Sequence, residues 1–187
     1  MRTCSPNSPC QEVDSAENNF DAELLSRLLG LPNKILSHHE NMGLAPLVLH
    51  ELGHNSAFNF TKASYLVNNP DFDCVRGFAG YCTEDCKHHN EDMWQDADNF
   101  STRMQQAPFH HKISSFFEKG LSHNADGSLK DDELKRLCGT LEIENPLFLT
   151  WKMRHGNHGI LLFQADNLQG ARRRDLLNHF VPLLSLC

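Results

Sequence analysis

Apolar residues along this 187-residue chain recur mostly at spacings of three and four, the period of helices with one buried face. Phe20, Leu24, Leu25, Leu28 and Leu29 open the pattern, with Asn19 or Asp21 placed to cap the helix start. Gly30-Leu31-Pro32-Asn33 predicts its end. A short helix over 34–43 follows, then one over 46–60 with Pro46 in the first turn, where a missing N–H does no harm. Glu91 to Gln106 reads as a helix closed by Pro108, and Phe109 to Leu121 as another with Ile113, Phe116 and Phe117 inward. Further helices are expected over 130–142, from Pro146 through Met153, and from Leu168 to Leu186 with Pro182 kinking or ending the last. Residues 70–90 read as irregular or short-helical, and only Gly159-Ile160-Leu161-Leu162-Phe163 reads as a strand. The expected fold class is mainly α, a single helical domain over 19–187. Residues 1–18, rich in Ser, Pro, Asn and acidic side chains, are expected to form a disordered tail.

Composition narrows the function classes. Lys and Arg number 17 against 24 acidic residues, a net charge of −7, which argues against a nucleic-acid surface; Arg172-Arg173-Arg174 reads as a solvated helix end. No window approaches the ~20 apolar residues that a membrane helix requires, so no membrane partner is expected. The seven cysteines (4, 10, 74, 82, 86, 138 and 187) are an odd count, and no apolar leader segment opens the chain. Reduced thiols and a cytoplasmic location are the expectation. Twelve histidines raise the prior for metal binding without locating it.

The sharpest chemical signal is His50-Glu51-Leu52-Gly53-His54, an H-E-x-x-H framed by Leu47-Val48-Leu49 and Leu52. On one helix face, His50 and His54 stand a turn apart and can share a metal, with Glu51 beside them as a general base. The segment resembles the active-site helix of the zincin metalloproteases over about ten residues. That resemblance implies zinc, with His50 and His54 as ligands and Glu51 activating a bound water for hydrolysis of a peptide or small-molecule substrate. Ala57 and Phe60 stand where the extended metzincin motif has Gly and His, so a third ligand must come from elsewhere; Glu84 and Glu91 are the candidates. Zincins also place a sheet before this helix, and no strand-period run precedes residue 46. Cys82, Cys86, His88 and His89, with Cys74, form a further group that could join the site.

A second constellation runs from Ser122 to Glu133 and resembles an EF-hand loop, within an expected helix–loop–helix over 113–142. Asn124, Asp126, Gly127, Leu129 and Glu133 fall at the family's third, fifth, sixth, eighth and twelfth positions. The resemblance implies calcium held by Ser122, Asn124, Asp126, Ser128 and Glu133. Ser122 in place of Asp and Lys130 at the ninth position make the implied binding weak, of order 10⁻⁴–10⁻³ M. Glu51-x-x-His54 is also half of a helical di-iron signature, and His39-Glu40 lies eleven residues before His50-Glu51. Gly43 and Pro46 separate the two pairs. Three readings follow: a metal-dependent enzyme, foremost a zinc hydrolase; an EF-hand-type cation-binding module; and a helical non-haem iron oxidoreductase.

Overall fold

A computed structural model describes residues 10–40, 43–85, 93–165 and 171–187, with side chains from residue 22 onward. Its elements run α1 (Cys10–Ser37), α2 (Leu44–Gly53), β1 (Phe60–Asn69), β2 (Cys74–Cys82), α3 (Ala97–Gln106), α4 (Pro108–Ser114), β3 (Phe117–Lys119), α5 (Asp131–Thr140), β4 (Leu147–Lys152), β5 (His158–Ala165) and α6 (Ala171–Phe180). The five strands form one antiparallel sheet in the order β3-β2-β1-β5-β4.

The sheet overturns the mainly α expectation. Helices cover both of its faces. On one, Ala63, Tyr65, Ala79, Tyr81, Leu161 and Phe163 pack against α1, α2, α3 and the C-terminal segment. On the other, Leu66, Val75, Ile160 and Leu162 meet Ile113 of α4, Leu134 and Leu137 of α5, and Leu141 just beyond it. A strand buried on both faces loses the alternation of apolar and polar residues that marks a half-exposed strand. β1 and β2 carry that disguise: β1 starts at Phe60, the last residue of an expected helix (46–60), and runs through 61–69, to which no element was assigned, while β2 falls in a stretch expected to be irregular (70–90). The helix expected from Pro146 through Met153 is strand β4 instead, and the one expected over 109–121 stops at Ser114 before β3.

Other boundaries move less. α1 continues through Pro32, because Leu24, Leu28, Leu31 and Ile35 make one uninterrupted buried face that outweighs the single hydrogen bond Pro removes. It begins at Cys10, inside the stretch read as a tail. α5 and β5 lie where helix and strand were expected, and α6 gives way to a 3₁₀ turn over Val181–Leu186, at Pro182. Among the described residues, no helix is long and apolar enough to cross a membrane.

Two glycines set how closely α4 lies on β2. A Cβ at Gly77 would stand 1.8 Å from the Ile113 carbonyl oxygen, and one at Gly80 would stand 3.0 Å from the His110 Cα. This close approach caps the exposed edge of β2: the Gly77 N–H donates to the Phe116 carbonyl (2.9 Å) and the Gly80 N–H to His110 Nδ1 (3.3 Å). An edge whose donors are already taken is a poor template for another strand.

Candidate functional site

α2 is the most enclosed element, with every residue from Leu44 to Gly53 buried. A helix apolar around its whole circumference belongs in an interior, and this one lies between α1, α3 and the sheet. His50 and Glu51 of the H-E-x-x-H pattern therefore sit in a core, and their polar groups need partners there.

Glu51, 2% exposed, has three. Its Oε1 takes Arg27 Nε at 3.2 Å and Lys34 Nζ at 3.3 Å, both from α1, and its Oε2 accepts from the indole N–H of Trp94 at 2.8 Å. Arg27 and Lys34 are seven residues apart, two helical turns, so one face of α1 presents both cations to one carboxylate. Lys34 also lies over the Trp94 ring, 5.4 Å from its centroid. His38 extends the contact: its ring nitrogens stand 2.9 Å from the Lys34 carbonyl oxygen and 3.0 Å from that of Trp94. The result is a clasp joining α1, α2 and the segment before α3.

The two motif histidines face different surroundings. His50 is buried between the rings of Tyr81 and Phe100, each centroid 4.9 Å away in edge-on geometry. His54 has left the helix: it is the C-cap, in extended backbone (φ −57°, ψ 151°), and its side chain is exposed beside Arg27 and Ser56. Gly53 between them lets the Tyr81 ring approach, since a Cβ there would meet it at 2.9 Å. Among the described residues, no three His, Cys, Asp or Glu side chains converge so that they could hold a metal. Glu84 is exposed in the turn after β2; Glu91, with Cys86, His88 and His89, lies outside the described residues. The sheet follows the motif helix here, whereas in zincins it precedes it. No protein-family model, curated protein or solved structure matches this chain.

The Ser122–Glu133 loop has helix α5 on its exit side but strand β3 on its entry side, so the expected helix–loop–helix is not formed. Its would-be ligands bond to the loop itself and to Arg136 of α5. Glu133 Oε1 accepts from the Ser122 N–H (3.1 Å) and Oε2 from Arg136 Nε (2.9 Å). Asp126 Oδ1 accepts from the N–H and hydroxyl of Ser128, and Asn124 turns its amide N–H groups on Ser128 Oγ and the Leu129 carbonyl. Arg136 and the Ser122 N–H hold the Glu133 carboxyl below the usual range, and the Ser128 donors do the same for Asp126. Gly127, at φ +85°, makes the turn, and buried Asn68 pins it by donating to the Gly127 carbonyl at 2.9 Å. His123 Nε2 stands 3.0 Å from the same amide's Oδ1.

A groove of about 1230 Å³ opens at the end of α1, walled by the start of α2, α3 and Phe78 of β2. His38, Glu40, Asp98, Ser101, Thr102 and His110 line it. The Ser101 hydroxyl is enclosed there without a hydrogen-bond partner among the described residues. His38 is fixed by the clasp and His110 by the edge of β2, so two walls are held by the elements just described. The sequence singled out Glu51 and His39-Glu40 but missed Arg27, Lys34, Trp94 and His110. The seven-residue spacing of the two cations was the available signal.

Burial holds the His110 imidazole below the usual histidine range, and burial with the nearby Arg27 charge does the same for His54. An unfolded histidine takes up a proton near pH 6.5, whereas these folded ones do so only at lower pH. Stability is therefore full above about pH 6.5 and falls as the pH drops toward the depressed folded values. The melting temperature should decline from pH 7.5 to 5.5, a window above the carboxylate titrations, and His110→Asn should flatten that slope. An unchanged slope in this variant would remove His110 from the explanation.

Proposed function

We propose that this chain is a binding module that takes a basic peptide segment in the groove between α1, α2 and α3. The groove itself carries this reading. Its volume of about 1230 Å³ exceeds the ~300–1,000 Å³ typical of small-molecule sites, and its lining mixes carboxylates, hydroxyls and imidazoles. Glu40 and Asp98, both exposed at its mouth, together with the chain's net charge of −7, favour a cationic occupant. In this reading the H-E-x-x-H segment shapes a wall of the groove by fixing Trp94, whose carbonyl in turn holds His38.

Calorimetric titration with a short Lys- and Arg-rich peptide tests it. Binding should weaken with added salt and fall about tenfold, roughly 1.4 kcal/mol, in the Glu40→Gln, Asp98→Asn double variant. Binding indifferent to both changes, or none at millimolar peptide, would contradict the proposal. The zinc-hydrolase, iron-oxidoreductase and calcium-module readings rest on their motifs. Metal analysis of protein purified without a His tag tests them, and stoichiometric zinc, iron or calcium would displace the binding-module reading. The cytoplasm is the proposed setting, on the odd cysteine count; Cys74, Cys138 and Cys187 are free thiols among the described residues.

A further inference from the structure

The turn after α2 brings a hydroxyl and an imidazole together, away from the groove. Ser56 Oγ is 2.9 Å from His54 Nδ1, and the Ser56 backbone N–H donates to that same nitrogen at 3.2 Å. A backbone N–H can only donate, so Nδ1 is the acceptor nitrogen of the ring and the Ser56 hydroxyl proton is directed at it. Arg27 Nη1 donates to Ser56 Oγ and stands 3.2 Å from His54 Nδ1, so the three groups form a compact triangle. The guanidinium is itself anchored, because its Nε is held by buried Glu51 at 3.2 Å. His54 is exposed and Ser56 half-buried, so a substrate can reach the pair from solvent. A hydroxyl bonded to a ring nitrogen that can accept its proton, with a fixed cation beside the oxygen, is the arrangement that activates a serine.

We infer that Ser56 is a nucleophile, with His54 as its general base, that accepts acyl groups from carboxylic esters. Ser56 Oγ bonds to the carbonyl carbon as its proton passes to His54 Nδ1; the bond to the alcohol oxygen breaks, and the alcohol leaves with that proton. Water then attacks the acylated Ser56 and gives a proton to Nδ1. The carboxylic acid departs, and the returned proton restores the serine hydroxyl. Only water is consumed. Arg27 is a positioning residue that orients the Ser56 hydroxyl beside His54.

A fluorophosphonate probe and 4-nitrophenyl acetate test this on the full chain. The wild type should form one fluorophosphonate adduct, mapped by peptide mass to Ser56, with fluoride as the leaving group. Ser56→Ala should lose the adduct, and His54→Gln should slow it at least tenfold, with ester hydrolysis falling in parallel and both melting temperatures near that of the wild type. Mapping the adduct on the wild type requires no variant to fold. Absence of an adduct on Ser56, or labelling as fast in a folded His54→Gln protein, would overturn the assignment.

Discussion

Replacing Glu51 with Ala should lower the stability of this protein by about 3 kcal/mol, as read by denaturant or thermal unfolding. The change leaves the indole N–H of Trp94 enclosed without its acceptor, a loss of about 1–3 kcal/mol, and removes the ion pairs with Arg27 and Lys34. A fully buried pair broken on one side costs about 3–5 kcal/mol. Here the stranded cations are 27% and 35% exposed and turn partly to water, which brings the sum toward the lower end. Glu51→Gln keeps an acceptor for Trp94 and should lose less. Because the clasp, through Lys34 and Trp94, holds His38 at the groove wall, both variants should also weaken peptide binding without touching the peptide. Full stability in Glu51→Ala would show that the carboxylate supports something other than the fold.

Gly77→Ala should be as damaging, with at least about 3 kcal/mol lost, the upper end for an overpacked position. The added Cβ meets a backbone oxygen, that of Ile113 at 1.8 Å, so no side-chain rotation relieves it and α4 must move off β2. Two edge contacts go with it: the Gly77 N–H to the Phe116 carbonyl and the Gly80 N–H to His110. An uncovered β2 edge is open to pairing with other chains, so the variant should also aggregate on heating more readily than Glu51→Ala. A near-native melting temperature for Gly77→Ala would contradict this close approach of α4 to the sheet.

Helices whose burial is one-sided were legible in the sequence: α5, with Leu134 and Leu137 inward and Leu141 at its C-cap, and α3, which lies within the helix expected over 91–106. β5 was recognised from Ile160 to Phe163, a continuous apolar run. β1 was not, because Ala63, Tyr65, Leu66 and Asn68 are buried on alternate faces under two different helical layers, and Lys62, Ser64 and Asn68 break the run. β4 was missed because Pro146 opens strands as readily as helices and Leu147-Phe148-Leu149 fits both periods. The candidate site was half legible. His50, Glu51 and His54 stand out as a motif, but a carboxylate that activates water and one that anchors two cations have the same spacing in sequence. Only the positions of Arg27, Lys34 and Trp94 separate them, and those contacts span 24, 17 and 43 residues. The calcium-like loop shows the same limit, since its oxygen ligands keep the family's spacing while the strand before it and Arg136 redirect them.

A double-mutant cycle between Arg27 and Glu51, measured by chemical unfolding in the presence of a chelator, tests most directly whether the H-E-x-x-H carboxylate is a structural clasp. With Arg27→Met, Glu51→Gln and the double variant, the clasp predicts a favourable coupling of at least about 1 kcal/mol, unchanged by removal of divalent metal. A coupling near zero, or one present only when metal is supplied, would contradict it.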